Sequence, residues 1–499
     1  MYGTFWALVP PLFAIILALI IKEAYSSLFL GVLLGAAFVA SFNPVGTLDT
    51  ALNDGLIAAI SDNAGIFLFL VLLGILVALV NKSGGSAAFG RWAEKNVKSR
   101  VGAMLATFLL GILIFIDDYF NCLTVGAVMR PVTDRQKISR AKLAYLIDAT
   151  AAPVCMIAPI SSWAAAVSGV ANDLNTGITG IELFIRAIPY NLYSLLTFVF
   201  IIALTLMKFD YGPMALSEKA AILEGKLGAN ENEEAPADNP KGRVVDLIIP
   251  VVVLVIACVI GMIYVGGFWE GASFIDAFGD TDAFVALPWG GVIALIFTII
   301  YFLCRRVMSF KEAMECIPQG FIAMVPPIMI LVLATSLKSM TSALGAAEFV
   351  HGVMEGAAAS LYSLLPAIIF IVGCILAFAS GTSWGTFGIL IPIVVAIFPV
   401  DSELLIIGIS ACLAGAVCGD HCSPISDTTI MASAGAQMNH LEHVSTQLPY
   451  AITVAAVSFV TYIFAGFIQN PIITFLIGAA LTVGTLFVLR TLENKKANN

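Results

Sequence analysis

Apolar stretches of roughly 20 residues recur from one end of the chain to the other, the length that crosses a hydrocarbon layer about 30 Å thick. They predict spanning helices over 3–21, 26–43, 56–80, 141–170, 183–207, 244–266, 285–304, 316–337, 405–435, 447–469 and 471–490. Two more apolar stretches, 101–131 and 359–400, break near their middles. The first breaks at Asp117-Asp118-Tyr119-Phe120-Asn121, the second at Ser380-Gly381-Thr382-Ser383-Trp384-Gly385-Thr386. Two of the spans are also interrupted. In 141–170 the interruption runs from Asp148 to Pro153 and again from Ala158 to Trp163; in 405–435 it runs from Gly415 to Thr429. Proline inside a helix removes a donor and clashes with the preceding turn. Unwound backbone then frees carbonyl oxygens at membrane depth, and half-helix ends present their dipoles.

Loop charge sets an orientation, because basic loops stay cytoplasmic. The basic loops are at Lys22, Lys82 to Arg100, Arg130 to Lys142, Lys208 to Arg243, Arg305 to Lys311 and Arg490 to Lys496. Loops 44–55, 171–182, 267–284 (with Asp276, Asp280 and Asp282), 338–358 and 401–404 are poor in Lys and Arg, with Arg186 and Lys338 fitting least well. This pattern puts the N-terminus outside and the C-terminus inside. Segment 101–131 lies between two basic loops, so it enters and leaves on the cytoplasmic side as a re-entrant hairpin. Segment 359–400 is the corresponding hairpin entered from outside. Such backbone is tolerated only where it is buried in protein or lines a water-filled cavity.

The expected fold is therefore an all-α polytopic membrane protein with two inverted-topology repeats. It would hold about 11 spanning helices, two re-entrant hairpins and two broken helices. The first repeat covers 1–207, with hairpin 101–131 and broken helix 141–170. A polar cytoplasmic linker, expected to be mobile, covers 208–243. The second repeat covers 244–470, with hairpin 359–400 and broken helix 405–435; an extra helix and tail cover 471–499.

A short internal repeat supports the pairing of halves. Asp118-Tyr119 precedes Pro159-Ile160-Ser161 by 41 residues, and Ser383-Trp384 precedes Pro424-Ile425-Ser426 by the same 41, at an offset of 265. Duplicated, polar, Gly- and Pro-interrupted membrane segments mark the binding site of a secondary transporter.

Composition agrees with a membrane protein. The 499 residues are 60% hydrophobic and 11% charged, with mean hydropathy +0.99, where a soluble domain carries about 25% charged residues. The net charge of −9 lies mainly in loops, and no basic stripe suggests nucleic acid. The start MYGTFWALVPPLF reads as a first spanning helix rather than a removed signal peptide. Nine scattered cysteines give no disulfide framework. Cys418 and Cys422, flanking Asp420 and His421, are a weak metal pattern and read more simply as small buried packing residues. No Walker-type nucleotide loop is present, which leaves ATP-driven pumping unsupported. Nothing suggests an enzyme. A channel would need a continuous pore, which occluding hairpins argue against.

Five carboxylates fall at membrane depth: Asp117, Asp118, Asp148, Asp420 and Asp427, with no Lys or Arg expected beside them. A buried carboxylate is costly unless it is paired, protonated or holding a cation. Without a basic partner, the remaining options are a cation or a proton, the two species that a sodium/proton exchanger moves. Hard cations take oxygen ligands. Sodium is expected at Asp118, Asp420 and Asp427, in alternation with protons, and no other cofactor is expected. Neutral oxygens would come from Asn121, Ser161, Ser383, Thr386, Ser423 and Ser426. Asp148 and His421 complete the candidate ion or substrate site. Trp384, with Trp163, either lines a substrate pocket or simply packs.

At these residues the chain resembles the NhaC family of sodium/proton antiporters, within the larger ion transporter superfamily. The resemblance covers most of the chain and is strongest at Gly381-Thr382-Ser383-Trp384-Gly385-Thr386 and at Gly419-Asp420-His421-Cys422-Ser423-Pro424-Ile425-Ser426-Asp427-Thr428. It implies an inverted-repeat fold, a homodimer in a bacterial-type inner membrane, and an elevator-like cycle between a scaffold and a moving transport domain. The implied activity is sodium/proton antiport by alternating access. The alternative is sodium- or proton-coupled transport or exchange of a small organic solute such as an amino acid or organic acid, held by the tryptophans and hairpin N-termini.

Overall fold

The computed structural model describes residues 1–21, 23–115, 118–159, 161, 163–164, 167, 180–228, 239–274, 277, 281–346, 348–349, 352, 362–399 and 401–498. Lys22, Asp117, Ile160, Ser162, Asp276, Asp280 and most of loop 171–182 lie outside them. The described residues form helices and no strands.

The principal helices are α1 (Val9–Ile21), α2 (Ala24–Val39), α3 (Ala64–Ser83), α4 (Arg100–Leu113), α5 (Asp118–Arg135), α6 (Arg140–Asp148), α7 (Leu192–Met207), α8 (Gly212–Glu224), α9 (Val245–Val265), α10 (Ala283–Cys304), α11 (Phe310–Ala343), α12 (Leu365–Ser380), α13 (Ser383–Ile397), α14 (Glu403–Cys422), α15 (Asp427–Ala436), α16 (His440–Ile468) and α17 (Pro471–Asn498). Among the described residues, eight helices are long and apolar enough to cross a membrane. Residues Glu182–Tyr190 and Leu192–Met207, bent by 44°, make a ninth candidate. The expected spans at 3–21 and 26–43 contain shorter apolar helices, Phe5–Ala14 and Tyr25–Val39.

The burial pattern separates centre from periphery. On α9 the side chains of Ile248, Val252, Ile256, Ile260 and Tyr264 are 41% to 54% exposed. A four-residue apolar repeat on the outside of a helix is a face made for hydrocarbon rather than water. In contrast, every residue of α14 after Glu403 is buried, including Ser410, Asp420 and His421. The most polar span is therefore wrapped by the others. Glycines make that wrapping possible. A Cβ on Gly415 would lie 2.4 Å from the Phe370 carbonyl oxygen, and one on Gly419 would lie 2.2 Å from that of Cys374, so α12 lies directly against α14.

A helix–break–helix unit stands at each of the two expected interruptions. The first is α4 and α5, with Ile114 and Phe115 non-helical after α4; the second is α12 and α13, with Gly381 and Thr382 between them. The second broken helix is α14 and α15, with 423–426 between them. The first stops at Asp148, resumes for Ala152–Cys155 and is helical again at Trp163 and Ala164.

Three expectations change. Loop 338–358 does not begin at Lys338, because α11 continues to Ala343 behind a Ser309/Glu312 capping box at its start. Span 447–469 begins earlier, at His440, which Asn439 caps. The linker is not wholly a polar tether. Its α8 buries Met214 and Ala221, and it buries Glu218 against Arg100 and the Ser139 amide. Burial raises the Glu218 carboxyl above the ordinary value, with the nearby Asp210 charge adding to the effect.

Candidate ion site at the helix breaks

The two halves of the site are built by hairpin tips pressed against helix breaks. At the first, Asn121 donates through Nδ2 to the Gly111 and Ile114 carbonyls, each at 2.7 Å, and to that of Thr150 at 3.2 Å. It thereby satisfies carbonyls left open where α4 stops and α6 breaks. A Cβ on Gly111 would lie 2.2 Å from Thr150 Oγ1, which fixes the tip against the break. At the second, Gly381 takes φ +66° to end α12, and Thr382 caps the start of α13. A Cβ on Gly381 would lie 2.5 Å from the Ile425 carbonyl oxygen, so this tip abuts the 423–426 break. Ser423 Oγ donates 2.8 Å to the Phe378 carbonyl across the same contact.

Asp420 sits where these parts meet, 4% exposed, near the end of α14. Its Oδ2 accepts from Ser383 Oγ at 2.7 Å and from Thr428 Oγ1 at 3.2 Å. Its Oδ1 is buried with no hydrogen-bond partner. Ser426 Oγ lies 3.0 Å from Thr428 Oγ1 and also caps α15. Thr429 Oγ1 donates 3.4 Å to the Asp420 backbone carbonyl. One carboxylate, carried on the α14 side of the break, thus has three hydroxyl residues around it, Ser383 from the start of α13 and Ser426 and Thr428 from the α15 side.

Asp427 opens α15, where the helix dipole favours a negative charge. Its Oδ2 accepts from Tyr119 OH at 3.2 Å. Asp118 opens α5 in the same way and is buried. Two acid-started helices therefore face each other through Tyr119. They are also held by close packing, since a Cβ on Gly126 would lie 2.4 Å from the Gly435 carbonyl oxygen.

The expectation that no basic residue stands among the carboxylates is corrected. Lys338, in the α11 extension, donates through Nζ to Thr382 Oγ1 at 3.3 Å and acts electrostatically on Asp427. It forms no ion pair within 4.0 Å among the described residues. Its place in the sequence, just past an expected span end, read as a loop. The missed signal was that Lys338 directly follows Leu337 and that no Gly or Pro comes before Gly345 to end the helix.

The other candidates fall into place around this centre. Thr386 donates 2.8 Å to the Thr382 carbonyl and is buried. Ser161 is engaged within its own segment, donating to Cys155 and Ala158 carbonyls at 2.8 and 3.0 Å. The Trp163 and Trp384 rings meet edge to face with centroids 6.2 Å apart. Trp163 is 1% exposed with its Nε1 unpartnered, and Trp384 is 40% exposed. Asp148 lies in a neighbouring cluster: its Oδ2 accepts from Gln447 Nε2 at 2.8 Å and lies 3.2 Å from His443 Nε2. His421 Nδ1 is 2.8 Å from Tyr193 OH. His443, Gln447 and Tyr193 were not expected from the sequence. The spacing His440, His443, Gln447 is the signal, for it places all three on one helix face. Among the described residues, no three His, Cys, Asp or Glu side chains gather closely enough for a metal ion. Asp118, Asp420 and Asp427 are not gathered into such a group.

A family model described as the Na+/H+ antiporter family matches residues 154–467, a stretch that holds the second hairpin and the α14–α15 break. The chain belongs to the Na+/H+ antiporter family. It is a multi-pass membrane transporter of that family. An uncharacterized protein of Haemophilus influenzae is 37% identical over 97% of this chain and 95% of its own length. The malate-2H+/Na+-lactate antiporter of Bacillus subtilis is 29% identical over 42% of this chain and 43% of its own. Among solved structures, the YdaH transporter of Alcanivorax borkumensis gives a loose likeness, with a TM-score of 0.38 at 14% identity over 90% of this chain and 99% of that one.

Proposed function

We propose that this antiporter-family member exchanges sodium for protons by alternating access, with the Asp420 region holding the sodium ion. The observation that carries this reading is the carboxylate of Asp420, ringed by Ser383, Thr428 and Ser426 and keeping one buried oxygen without a partner. Oxygen-only surroundings with one negative charge suit a small hard cation. Because Ser383 belongs to a hairpin tip and Thr428 to the far side of a break, a small shift of either part changes the ligand set. That coupling of binding to backbone position is what alternating access needs. Lys338, which acts on Asp427 electrostatically without pairing with it, stands near as a charge that opposes a bound cation.

Two inverted repeats, an elevator-like movement, a homodimer, and an inner-membrane location with the N-terminus outside belong to the same reading. Loop charge supports the orientation, and the paired tip-on-break contacts support the repeats.

A second reading has its own support. Lys338 is a cation at membrane depth near the half-exposed Trp384, and a carboxylate-bearing solute would fit both. The Bacillus relative is named for exchanging organic acids. The deciding experiment uses purified protein in liposomes loaded with a pH dye. An inward sodium gradient without solute should make the lumen alkaline. Proton movement that starts only when pooled amino acids or organic acids are added would replace the first reading by the second.

A further inference from the structure

The four histidines of the chain are an unusual resource in so apolar a sequence, and three of them converge. His421, His440 and His443 are all buried, and each acts electrostatically on the same buried carboxylate, Asp148. His443 Nε2 lies 3.2 Å from Asp148 Oδ2, and Gln447 Nε2 bridges that oxygen at 2.8 Å to the His421 backbone carbonyl at 2.7 Å. The Asp420 ion site is one residue from that carbonyl. His443 and Gln447 are both fully buried. No described Lys or Arg pairs with Asp148, whose ion-pair partner is His443.

The cluster is also incompletely satisfied. His443 Nδ1 and Gln447 Oε1 are buried without partners. Leaving such atoms unpaired is unfavourable, and a cluster built only to seal a helix break would satisfy them. Gln447 does cap the open His421 carbonyl, but that task needs neither His443 nor a carboxylate. The cluster lies near a basic segment: Arg140 Nη1 donates 2.6 Å to the Ala436 carbonyl, four residues before His440. His440 starts α16 there, one turn before His443 on the same face.

We propose that Asp148 and His443 form the proton-carrying site of the exchange, separate from the cation site at Asp420. This rests on the antiport reading above and adds to it which residues hold the proton. An imidazole can keep its Nε2 hydrogen on Asp148 Oδ2 while Nδ1 takes up one proton from water and later returns one to water. Each uptake forms one Nδ1–H bond and breaks one O–H bond of hydronium, each release does the reverse, and the proton count balances over a cycle. The titratable groups facing His443 are Asp148 from α6, His421 from α14 and His440 on its own helix. His421 takes part here through its carbonyl: Gln447 links the protonation of the pair to the end of α14, and so to Asp420.

The test compares wild type, His443→Gln and Asp148→Asn in liposomes, with two readouts each. One is exchange of labelled sodium for sodium at equal pH, which needs the cation site and a moving protein but no proton. The other is sodium-driven proton movement. Both variants should retain sodium-for-sodium exchange, while proton movement falls by about 100-fold or more, the usual scale for losing a proton-transferring group. Parallel loss of both activities, or survival of both, overturns the proposal; Asp148→Asn decides if His443→Gln does not fold. A wild-type protein that moves no proton under a sodium gradient, with or without solute, instead ends the antiport reading itself.

Discussion

Replacing Ser383 by alanine tests the ion site with a sign as well as a size. The hydroxyl donates 2.7 Å to Asp420 Oδ2 and lies 3.3 Å from the Ala416 carbonyl oxygen. A hydrogen bond to a charged group contributes about 1.5–3 kcal/mol. If Ser383 only steadied the empty carboxylate, its removal would make Asp420 bind a cation more tightly. If it turns its oxygen toward sodium when the ion is bound, removal weakens binding. The second case follows from the oxygen ring around Asp420, because Thr428 would remain to steady Oδ2 at 3.2 Å. The expected result is a half-saturating sodium concentration about 10- to 150-fold higher, at 1.4 kcal/mol per decade. The maximal rate should change less than the half-saturation value. The assay is sodium-driven proton movement in dye-loaded liposomes over a range of sodium concentrations. A half-saturation value that is unchanged or lower would refute the ligand role of Ser383 and leave it a hairpin clasp.

Asp420→Asn and Asp427→Asn should each abolish sodium dependence in the same liposomes while the protein still elutes as a folded species; normal sodium dependence in both would remove the proposed site. Lys338→Gln should lower the half-saturating sodium concentration severalfold, since a like charge beside Asp427 opposes a cation; weaker sodium binding would mean that Lys338 supports the site instead. Gly419→Ala places a Cβ 2.2 Å from the Cys374 carbonyl oxygen and 2.7 Å from Ala377 Cβ. The cost of such overpacking is about 1–3 kcal/mol, visible as a lower thermal midpoint in detergent, and an unchanged midpoint would show that α12 moves aside freely.

Much of the architecture was legible because lipid leaves a chain few choices. Hydropathy located the spans, and the polar interruptions at Asp118, Ser383 and Pro424 stood out because polar groups inside an apolar run need a reason. Helix breaks lie where the interruptions at Ser383 and Pro424 predicted, at Gly381 and Thr382 and at 423–426. Lys338 and His440 were misplaced because both sit at the ends of apolar runs. There, sequence cannot distinguish a loop from a helix continuing past the run; α11 runs on to a C-cap at Leu344, before Gly345 at φ +76°, and Asn439 caps the start of α16.

The sequence by itself determined that this chain is a helical membrane protein of the antiporter type, with carboxylates and hydroxyls carried on broken segments. It did so because burial in hydrocarbon is priced residue by residue. Only the tertiary structure decided which of those groups meet. Asp420 with Ser383, Tyr119 with Asp427, Lys338 with Thr382, and Asp148 with His443 are each separated by between 37 and 308 positions. Their pairing depends on how helices cross at Gly415, Gly419, Gly126 and Gly435, and a three-dimensional packing solution of that kind leaves no local pattern in the chain.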